Sequence, residues 1–406
     1  MSKRRPTSLK KFQWILEWVV CVVLEWILSL FPVAVVFRVG EFLGSLAWWL
    51  YPARRRVVIK NLRIAFADEL SRPGIEALAK ANFRRTGANF ACAARTARMS
   101  KTDFRKVLTV EGLENVASVI HGEKGVVILT PHMGNWEALS RLHLAMPEGV
   151  RLAAYYRPLN NPFMNRRVLK RREADGTRMF SKHESPLRTA SVLAEPVCLG
   201  ILADIRVGMA GEEVAFFGRH TRASPLPSLI ARRAKCSVAA LSMRTIASGK
   251  WVVTFRPVTL PHNTQNNMSA LESAMRESPL DVFWMQDRWK ISTRGHLGFS
   301  QWLQHPPAET RTKYRGLIWS SGKAEDTMPP DCWFHEEVAW ERHIKQTDLD
   351  SPSLRTALRE IDDAAALPLD VVISAKENPA LRKAAARMSI AYFAWDDSPP
   401  TTRRRG

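Results

Sequence analysis

The pattern of hydrophobic and polar positions changes along the chain. A long apolar run extends from Phe12 to Phe37 and is interrupted by Glu17 and Glu25. Residues 57–108 have apolar positions at helical spacing between basic ones, which predicts two helices separated at Pro73-Gly74. The N-terminal part of the chain is therefore expected to be helical throughout.

Short apolar runs alternate with helical patterns beyond residue 110. The runs predict strands at Gly125–Thr130, Val150–Tyr156, Val197–Ala203, Val238–Met243 and Trp251–Val258. The helical patterns between them lie at 136–146, 163–174, 186–195 and 225–235. Strands that alternate with helices predict an α/β fold with a mainly parallel sheet flanked by helices.

The last quarter of the chain has its own pattern. Residues 291–314 are polar and contain prolines, which predicts a linker. Beyond it the pattern predicts strands at Arg315–Ser320, Val371–Ser374 and 390–395, and helices at 354–366 and 379–388. We therefore predict an N-terminal anchor with its basic flank at 1–56, a main domain at 57–300, and a small C-terminal α/β module of unassigned role at 315–406.

The first apolar run is predicted to be a membrane anchor. Its 26 residues are enough to span a bilayer, but each acid at bilayer depth costs roughly 2.5–3.5 kcal/mol on insertion scales. Aromatic and basic residues on both flanks are typical of a helix that lies in, or dips into, the membrane interface. A signal peptide would have a shorter run and a small-residue cleavage site. The alternative is a buried core helix, in which case Arg54–Arg56 belong to a solvated surface rather than facing lipid phosphates.

The net charge is unevenly distributed. The chain carries +21 overall, and residues 1–300 contain 45 basic and 23 acidic residues, against 15 and 16 in residues 301–406. The first three quarters are therefore expected to face nucleic acid, an acidic membrane surface or an acidic substrate. The five cysteines are scattered and have no C-x-x-C spacing, which argues against a disulfide framework or a zinc ribbon and favours a reducing compartment.

The segment from Thr130 to Glu137, TPHMGNWE, carries the candidate chemistry. It follows a predicted strand and precedes a helical pattern. Gly134 permits a tight turn, and Asn135 is a favourable N-cap residue. This predicts His132 in the loop and Glu137 in the first helical turn, where its carboxylate can orient the imidazole.

A histidine held by a carboxylate is typical of a general base. The motif contains no serine or cysteine, so it does not indicate a covalent acyl-enzyme. We expect direct transfer instead, in which the base takes a proton from an acceptor hydroxyl and the oxygen attacks a bound ester or thioester.

This motif resembles the His-x-x-x-x-Asp/Glu motif of the lipid A biosynthesis acyltransferase family, the late lauroyl and myristoyl transferases of Gram-negative bacteria. The resemblance extends over about residues 10–300. Further matching elements are Arg54–Arg56 with Asn61-Leu62, a predicted strand at Val110–Val116, Tyr156–Pro162, Ala203-Asp204, Phe216–Gly218, and a Trp-rich helix that ends at Arg288–Lys290.

The resemblance implies a glycerolipid-acyltransferase-like fold and an enzyme on the cytoplasmic face of the inner membrane. The donor would be acyl-acyl carrier protein and the acceptor a lipid A precursor, without metal, cofactor or nucleic acid. His132 would be the base, oriented by Glu137, and Arg157 would stabilise the oxyanion or hold a phosphate. Substrate contacts would come from Asn135, Asp204, Arg206, Arg166 and Arg167.

Two alternatives stay open at this point. The chain has Asp204-Ile205-Arg206 where the family usually has Asp-Gln-Asp, so acyl length and acceptor identity are not fixed, and another glycolipid or a lysophospholipid is a possible acceptor. The basic charge also permits a non-catalytic membrane-binding or nucleic-acid-binding protein.

Overall fold

The computed structural model describes residues 7–208, 210–291, 309–320, 329, 338–344 and 350–395. The chain divides into two compact units. The first comprises residues 1–47, 80–205 and 224–283, and the second comprises 48–79, 206–223 and 284–406. These units are discontinuous in sequence and differ from the three predicted segments, because contacts join stretches that are far apart along the chain. The division by role into anchor, transferase and C-terminal module stays a prediction.

The described helices are concentrated in the first hundred residues. They are α1 (Ser8–Ser29), α2 (Val33–Leu50), α3 (Pro52–Phe66), α4 (Arg72–Thr96), α5 (Lys101–Val107), α6 (Ala117–Ile120), α7 (Pro162–Glu173), α8 (Pro186–Val192), α9 (Leu226–Ala234), α10 (Thr264–Arg276), α11 (Ser351–Asp363) and α12 (Pro379–Arg387). Short 3₁₀ helices lie at Leu113–Val116, Trp136–Ala145 and Pro279–Asp281.

A seven-stranded sheet forms the centre of the first unit. Its strands are β1 (Leu108–Glu111), β2 (Val126–Thr130), β3 (Arg151–Tyr156), β4 (Arg178–Ser181), β5 (Val197–Leu202), β8 (Val238–Ala247) and β9 (Lys250–Pro257). The order is β1-β9-β8-β2-β5-β3-β4, and every neighbouring pair is parallel except β8 with β9. The predicted α/β fold with a mainly parallel sheet is therefore confirmed.

Helices cover both faces of this sheet. The connections from β2 to β3 and from β3 to β4 advance in one direction and contain the 3₁₀ helix Trp136–Ala145 and α7. The connections to β5 and to β8 run in the opposite direction and contain α8 and α9. Because crossovers between parallel strands are right-handed, the two sets lie on opposite faces. The central strand β2 is buried along its whole length.

The second unit contains a four-stranded parallel sheet and a hairpin. The sheet has the order β11-β10-β12-β13, with β10 (Tyr314–Ser320), β11 (Val338–Ile344), β12 (Leu369–Ser374) and β13 (Ala391–Ala394). The hairpin pairs β6 (Glu212–Phe216) with β7 (Arg219–Ala223). The predicted strands and helices of the C-terminal module are present, and β11 was not predicted. Most of the predicted linker lies outside the described residues.

Buried ion pairs join the C-terminal sheet to α3 within this unit. The guanidinium of Arg63 donates to the Asp362 carboxylate at 2.7 Å and to the carbonyls of residues 362 and 365–367, which follow or end α11. Asp370 of β12 is fully buried and pairs with Arg219 at 3.0 Å and with Lys60 at 3.6 Å. The C-terminal sheet and α3 are therefore one packed structure.

Three sequence predictions of local structure are wrong. The apolar run is two helices, because the chain turns at residues 30–32, around Pro32. The predicted strand Val110–Val116 ends at Glu111, because Gly112 has a φ of +74° and a 3₁₀ helix follows. Residues 283–290 form turns instead of the expected Trp-rich helix. There Asn61 donates to the carbonyls of Trp284 and Gln286. In a helix, these carbonyls would accept hydrogen bonds from backbone N–H groups of the same helix.

Candidate active site

His132 lies directly beyond the buried end of β2. In the register of β2 with β5, Thr130 lies opposite Leu202. Because neighbouring parallel strands end at the same edge of a sheet, the residues two positions further on come together. Nδ1 of His132 is 2.6 Å from Oδ1 of Asp204, although the two residues are 72 positions apart. The pairing of two strands thus assembles this His–Asp pair.

The surroundings of His132 and Asp204 indicate which atom donates the hydrogen bond between them. None of the Asp204 side chain is exposed, whereas 12% of the His132 side chain is. An ionised carboxylate only accepts hydrogen bonds, so Nδ1 of His132 is the donor to an ionised Asp204. In a neutral imidazole this arrangement leaves Nε2 as the acceptor, and the contact fixes the orientation of the ring.

The expected contact between Glu137 and His132 is replaced by an ion pair with Arg172. The Glu137 carboxylate accepts hydrogen bonds from Nη2 of Arg172 at 2.5 Å and from Nε at 3.1 Å. The ring of Trp136 stands edge-on to the imidazole, with centroids 5.6 Å apart. Since successive side chains of a 3₁₀ helix diverge by roughly 120°, Glu137 is directed away from the face that Trp136 occupies, and α7 supplies its cation.

The turn between His132 and Glu137 requires glycine, as predicted. Gly134 has a φ of +59°, and a Cβ there would lie 2.7 Å from the carbonyl oxygen of Met243. Asn135 occupies the N-cap position, but its side chain makes no capping hydrogen bond. It is buried and donates to Oγ1 of Thr96 at 3.0 Å, which ties the turn to α4. Its predicted capping role is therefore wrong, while its predicted contact with substrate stays a prediction.

Aromatic rings surround the exposed part of the imidazole. The rings of Phe90 and Trp136 meet at 5.2 Å, Phe90 and Phe283 at 5.6 Å, and Trp136 and Phe283 at 5.4 Å. Phe90 is half exposed. The backbone N–H of Phe283 also donates to the carbonyl of His132 at 2.7 Å. His132 therefore lies beside an apolar surface that an acyl chain can contact.

A narrow apolar cavity lies between the 3₁₀ helix Trp136–Ala145 and the sheet. It has a volume of about 90 Å³, and Glu137 and Arg172 form part of its lining. Its apolar lining includes Leu139, Leu142, Leu152, Met179, Ile201 and Leu241. The small residues Ala154 and Gly200 line it from β3 and β5. Such a lining suits a hydrocarbon chain whose reactive end stays near the charged pair.

The cavity also contains a cysteine, which is poorly suited to act as a nucleophile. Cys198 lies on β5, and burial raises the pKa of its thiol to about 12. The thiolate is the nucleophilic form of cysteine. A thiol with this pKa stays protonated at neutral pH, which is consistent with direct transfer.

The four arginines that were predicted as site residues, at positions 157, 166, 167 and 206, have different surroundings. Arg157 directly follows β3 and is exposed, and its guanidinium has no ion-pair partner within the described part of the chain. Arg166 is exposed on α7, whereas Arg167 on the same helix binds Glu25 of α1 at 2.6 Å. Arg206 belongs to the second unit, where burial lowers the pKa of its guanidinium. Arg157 and Arg166 are therefore the two with side chains free to meet an anionic ligand.

Sequence reasoning missed the contact of Arg172 with Glu137 and the contact of Asp204 with His132. Arg172 is one of five basic residues on α7, and nothing in the pattern separates it from the others. Asp204 was predicted to contact substrate, and it directly follows the predicted strand Val197–Ala203. Adjacency of β2 and β5 was the missing information, and it depends on the strand order of the whole sheet.

Comparison with known proteins gives one family. The model of the family described as bacterial lipid A biosynthesis acyltransferase matches residues 1–291. This range covers well over half of the chain and includes the His–Asp pair, the cavity and both apolar N-terminal helices. A search of curated proteins gave no match.

Proposed function

The chain belongs to the bacterial lipid A biosynthesis acyltransferase family, and we propose that it moves a fatty acyl chain from the thioester of acyl-acyl carrier protein to a hydroxyl of a lipid A precursor. Membership makes it an acyltransferase and implies the acceptor class. The donor, the residues that act and the order of steps are the proposed part. The family match gives no support to a non-catalytic binding protein.

The observation that carries the mechanism is the contact between His132 and the buried carboxylate of Asp204. In the proposed reaction Nε2 of His132 takes the proton of the acceptor hydroxyl. The acceptor oxygen then bonds to the thioester carbonyl carbon and gives a tetrahedral intermediate. Collapse of this intermediate breaks the carbon–sulfur bond, and the leaving thiolate receives the proton from the imidazolium. The products are an ester and a free thiol, and the base returns to its starting form.

In this proposal Asp204 takes the orienting role that the motif predicted for Glu137. Its buried charge stabilises the imidazolium that forms when the hydroxyl is deprotonated. The Glu137–Arg172 pair lines the cavity and would position the acyl end of the donor rather than the base. Arg157, exposed at the end of β3, is the proposed partner of the oxyanion or of an acceptor phosphate.

The cavity is the proposed site for the donor chain. It is mainly apolar and adjoins the 3₁₀ helix that begins directly after the His132 turn. Among the residues predicted to bind substrate, Arg166 is proposed to contact acceptor phosphates, since it is exposed and has no acid partner among the described residues. Roles for Asn135, Arg167 and Arg206 stay predictions.

The mainly parallel sheet with the base at its carboxyl edge is consistent with a glycerolipid-acyltransferase-like fold, and we propose that classification. The family acts on a lipid, and α1 and α2 are long and apolar enough to meet a membrane. We therefore propose a location on the cytoplasmic face of the inner membrane, where acyl carrier protein is available.

A reconstituted assay tests the proposal. The full chain in phospholipid vesicles is mixed with a lipid A precursor and acyl-acyl carrier protein, and mass spectrometry of the lipid detects the added acyl mass. We expect transfer by the parent chain and a reduction by a factor of about 10²–10⁴ in His132→Ala. Acyl transfer to a lysophospholipid but not to the lipid A precursor would redirect the acceptor. Undiminished transfer by His132→Ala would reject the mechanism.

A further inference from the structure

The two N-terminal helices share an unusual surface. Both have the length and apolar character of a membrane-crossing helix, yet each is held by one face to the first unit. The residues on their other faces and in the turn between them are large, apolar and each at least 40% exposed: Leu9, Phe12, Ile15, Leu16, Val19, Val20, Val23, Leu24, Trp26 and Ile27 on α1, Leu30 and Phe31 in the turn, and Val35, Val39, Phe42, Leu43 and Leu46 on α2. We define these residues as the apolar platform.

The polar face of α1 runs along its whole length. Gln13, Glu17, Cys21 and Glu25 recur every four positions, so they lie on one side of the helix. Near one end, Nδ2 of Asn161 donates to Glu17 at 3.0 Å, and it also donates to the carbonyl of Trp14. Asn161 is the N-cap residue of α7, so α1 contacts α7 at its start.

The other acid of α1 is neutralised further along α7. The Glu25 carboxylate pairs with Arg167 at 2.6 Å and also with Arg171. Only 11% of the Glu25 side chain is exposed. Because α1 contacts α7 at both Glu17 and Glu25, it runs alongside α7, and the Glu25 carboxylate is turned toward α7 rather than toward lipid.

The character of α7 decides where α1 can lie. α7 contains five basic residues, and none of its residues is buried. Arg166 and Lys170 are exposed. A bilayer-crossing α1 would either break its ion pairs or draw this charged helix into the hydrocarbon. Exposed basic side chains instead fit the phosphate layer of an anionic leaflet.

The second helix is fixed by close backbone packing. A Cβ on Gly40 would lie 2.6 Å from Cα of Ala88, and one on Gly44 would lie 2.3 Å from the carbonyl oxygen of Phe83. On the facing helix, a Cβ on Gly87 would lie 2.3 Å from the carbonyl oxygen of Gly40. The G-x-x-x-G spacing of α2 therefore seats it against α4, as in other small-residue helix contacts.

The turn between the two helices is also bound to α4. Nε of Arg95 donates to the carbonyl of Phe31 at 3.0 Å, and Arg98 donates to Oγ of Ser29 at 3.2 Å. Residues 29–31 are thus held beside the charged side chains of Arg95 and Arg98 in the first unit. A hairpin that crosses the bilayer would place this turn on the opposite side of the membrane from α4.

We propose that α1 and α2 lie in the plane of one leaflet, with the apolar platform inserted in the lipid and the basic face of α7 at the headgroups. Both ends of α1 then stay on the side of the membrane on which the rest of the first unit lies. The occupant of the platform is an anionic phospholipid bilayer. The inference concerns membrane topology and does not depend on which acyl transfer the site performs.

Cysteine labelling in a Gram-negative host tests this topology. The variants Thr7→Cys, Leu30→Cys and Lys250→Cys are treated with a membrane-impermeant maleimide, either in spheroplasts or in inverted inner-membrane vesicles. Lys250, the first residue of β9, is exposed and reports the side on which the first unit lies. The parent chain gives the background from native cysteines. We expect Thr7→Cys and Lys250→Cys to be labelled only in inverted vesicles and Leu30→Cys to be unlabelled in spheroplasts. Labelling of Leu30→Cys in spheroplasts, or of Thr7→Cys and Lys250→Cys from opposite sides, would overturn the proposal.

A charge exchange gives an independent measurement. If α1 crossed the lipid, removing the Glu25 carboxylate would raise the melting temperature. Because Glu25 pairs with two arginines of α7, we instead expect Glu25→Gln to lower the melting temperature by about 2–4 °C. The matched control is Glu41→Gln on α2, whose nearest cation, Arg84, is 3.7 Å away and half exposed, so little change is expected. Glu25→Arg combined with Arg167→Glu and Arg171→Glu should recover the stability lost in Glu25→Arg alone. A higher melting temperature for Glu25→Gln, or no recovery in the triple variant, would reject the latch.

Discussion

Replacement of Asp204 by asparagine removes one buried negative charge while keeping the shape of the side chain. The amide oxygen can still accept the hydrogen bond from Nδ1 of His132, which is 2.6 Å from the carboxylate oxygen in the parent chain. The variant therefore tests the charge of Asp204 separately from its role as an acceptor.

The size of the effect follows from the geometry. Proton uptake by His132 in the transition state creates a cation whose charge centre is about 4 Å from the carboxylate, and at an effective dielectric constant of about 20 their attraction is roughly 4 kcal/mol. Each 1.4 kcal/mol of barrier is about a tenfold change in rate. We therefore expect Asp204→Asn to lower kcat by roughly 10³, with KM changed little, because the carboxylate does not touch the substrate in the proposed reaction.

The matched comparison is Glu137→Gln, which tests the other candidate carboxylate. Glu137 and Arg172 are 31% and 23% exposed, so their ion pair is partly screened by solvent and worth about 1 kcal/mol or less. We expect kcat to fall less than about tenfold. Both variants are assayed by acyl transfer in vesicles, and their thermal melting is compared with that of the parent chain to confirm folding. A loss of about 10³ in Glu137→Gln with near-normal turnover in Asp204→Asn would show that Asp204 is not the partner of the base.

Three further predictions concern the cavity and the two units. Ala154→Phe should fill part of the acyl cavity and shift the transferred chain toward shorter lengths, as read from product masses; an unchanged length distribution would place the donor chain elsewhere. Gly44→Val should separate α2 from α4 and lower the melting temperature, whereas Gly74→Ala should be tolerated because a Cβ there meets no atom closer than 3.5 Å. Equal changes in melting temperature in the two variants would contradict the close backbone contact of α2 with α4. Arg63→Met should lower the free energy of unfolding in urea by roughly 3–5 kcal/mol, because a carboxylate that is only 19% exposed and several carbonyls lose the buried guanidinium that donates to them. Arg72→Met should cost less than about 1 kcal/mol, since its pair with Asp363 is 33% and 48% exposed; similar losses in both variants would refute the distinction.

The sequence predicted the main strands of the central sheet well because each contains a short apolar run. The strands β2, β3, β5, β8 and β9 all begin and end within a few residues of their predicted bounds. β4 and the hairpin strands were missed because they are short and rich in polar residues, so that periodicity gives no signal. β1 was placed too far along, since Gly112 ends it earlier than the apolar pattern does.

The candidate site was predicted in part. His132 at the end of β2 and the glycine turn at residue 134 follow from local sequence. The partner of His132 does not, because it depends on which strand lies beside β2. The turn predicted at Gly134 favoured Glu137 as that partner, but the Glu137 carboxylate instead pairs with Arg172 on α7. The local pattern thus predicts the position of His132, while the carboxylate beside it is set by the strand order.

The contacts of Arg63 have a consequence for the timing of folding during synthesis. Arg63 and its carboxylate partner Asp362 are 299 residues apart. At about 5–20 residues per second, roughly 15–60 s separate the appearance of the two side chains from the ribosome. During this interval α3 carries cations whose native anions do not yet exist, so the second unit completes its core only after most of the chain has been made. The apolar helices α1 and α2 emerge first and are able to meet the membrane long before then. The nascent chain is therefore expected to be delivered to the lipid surface before its second unit closes.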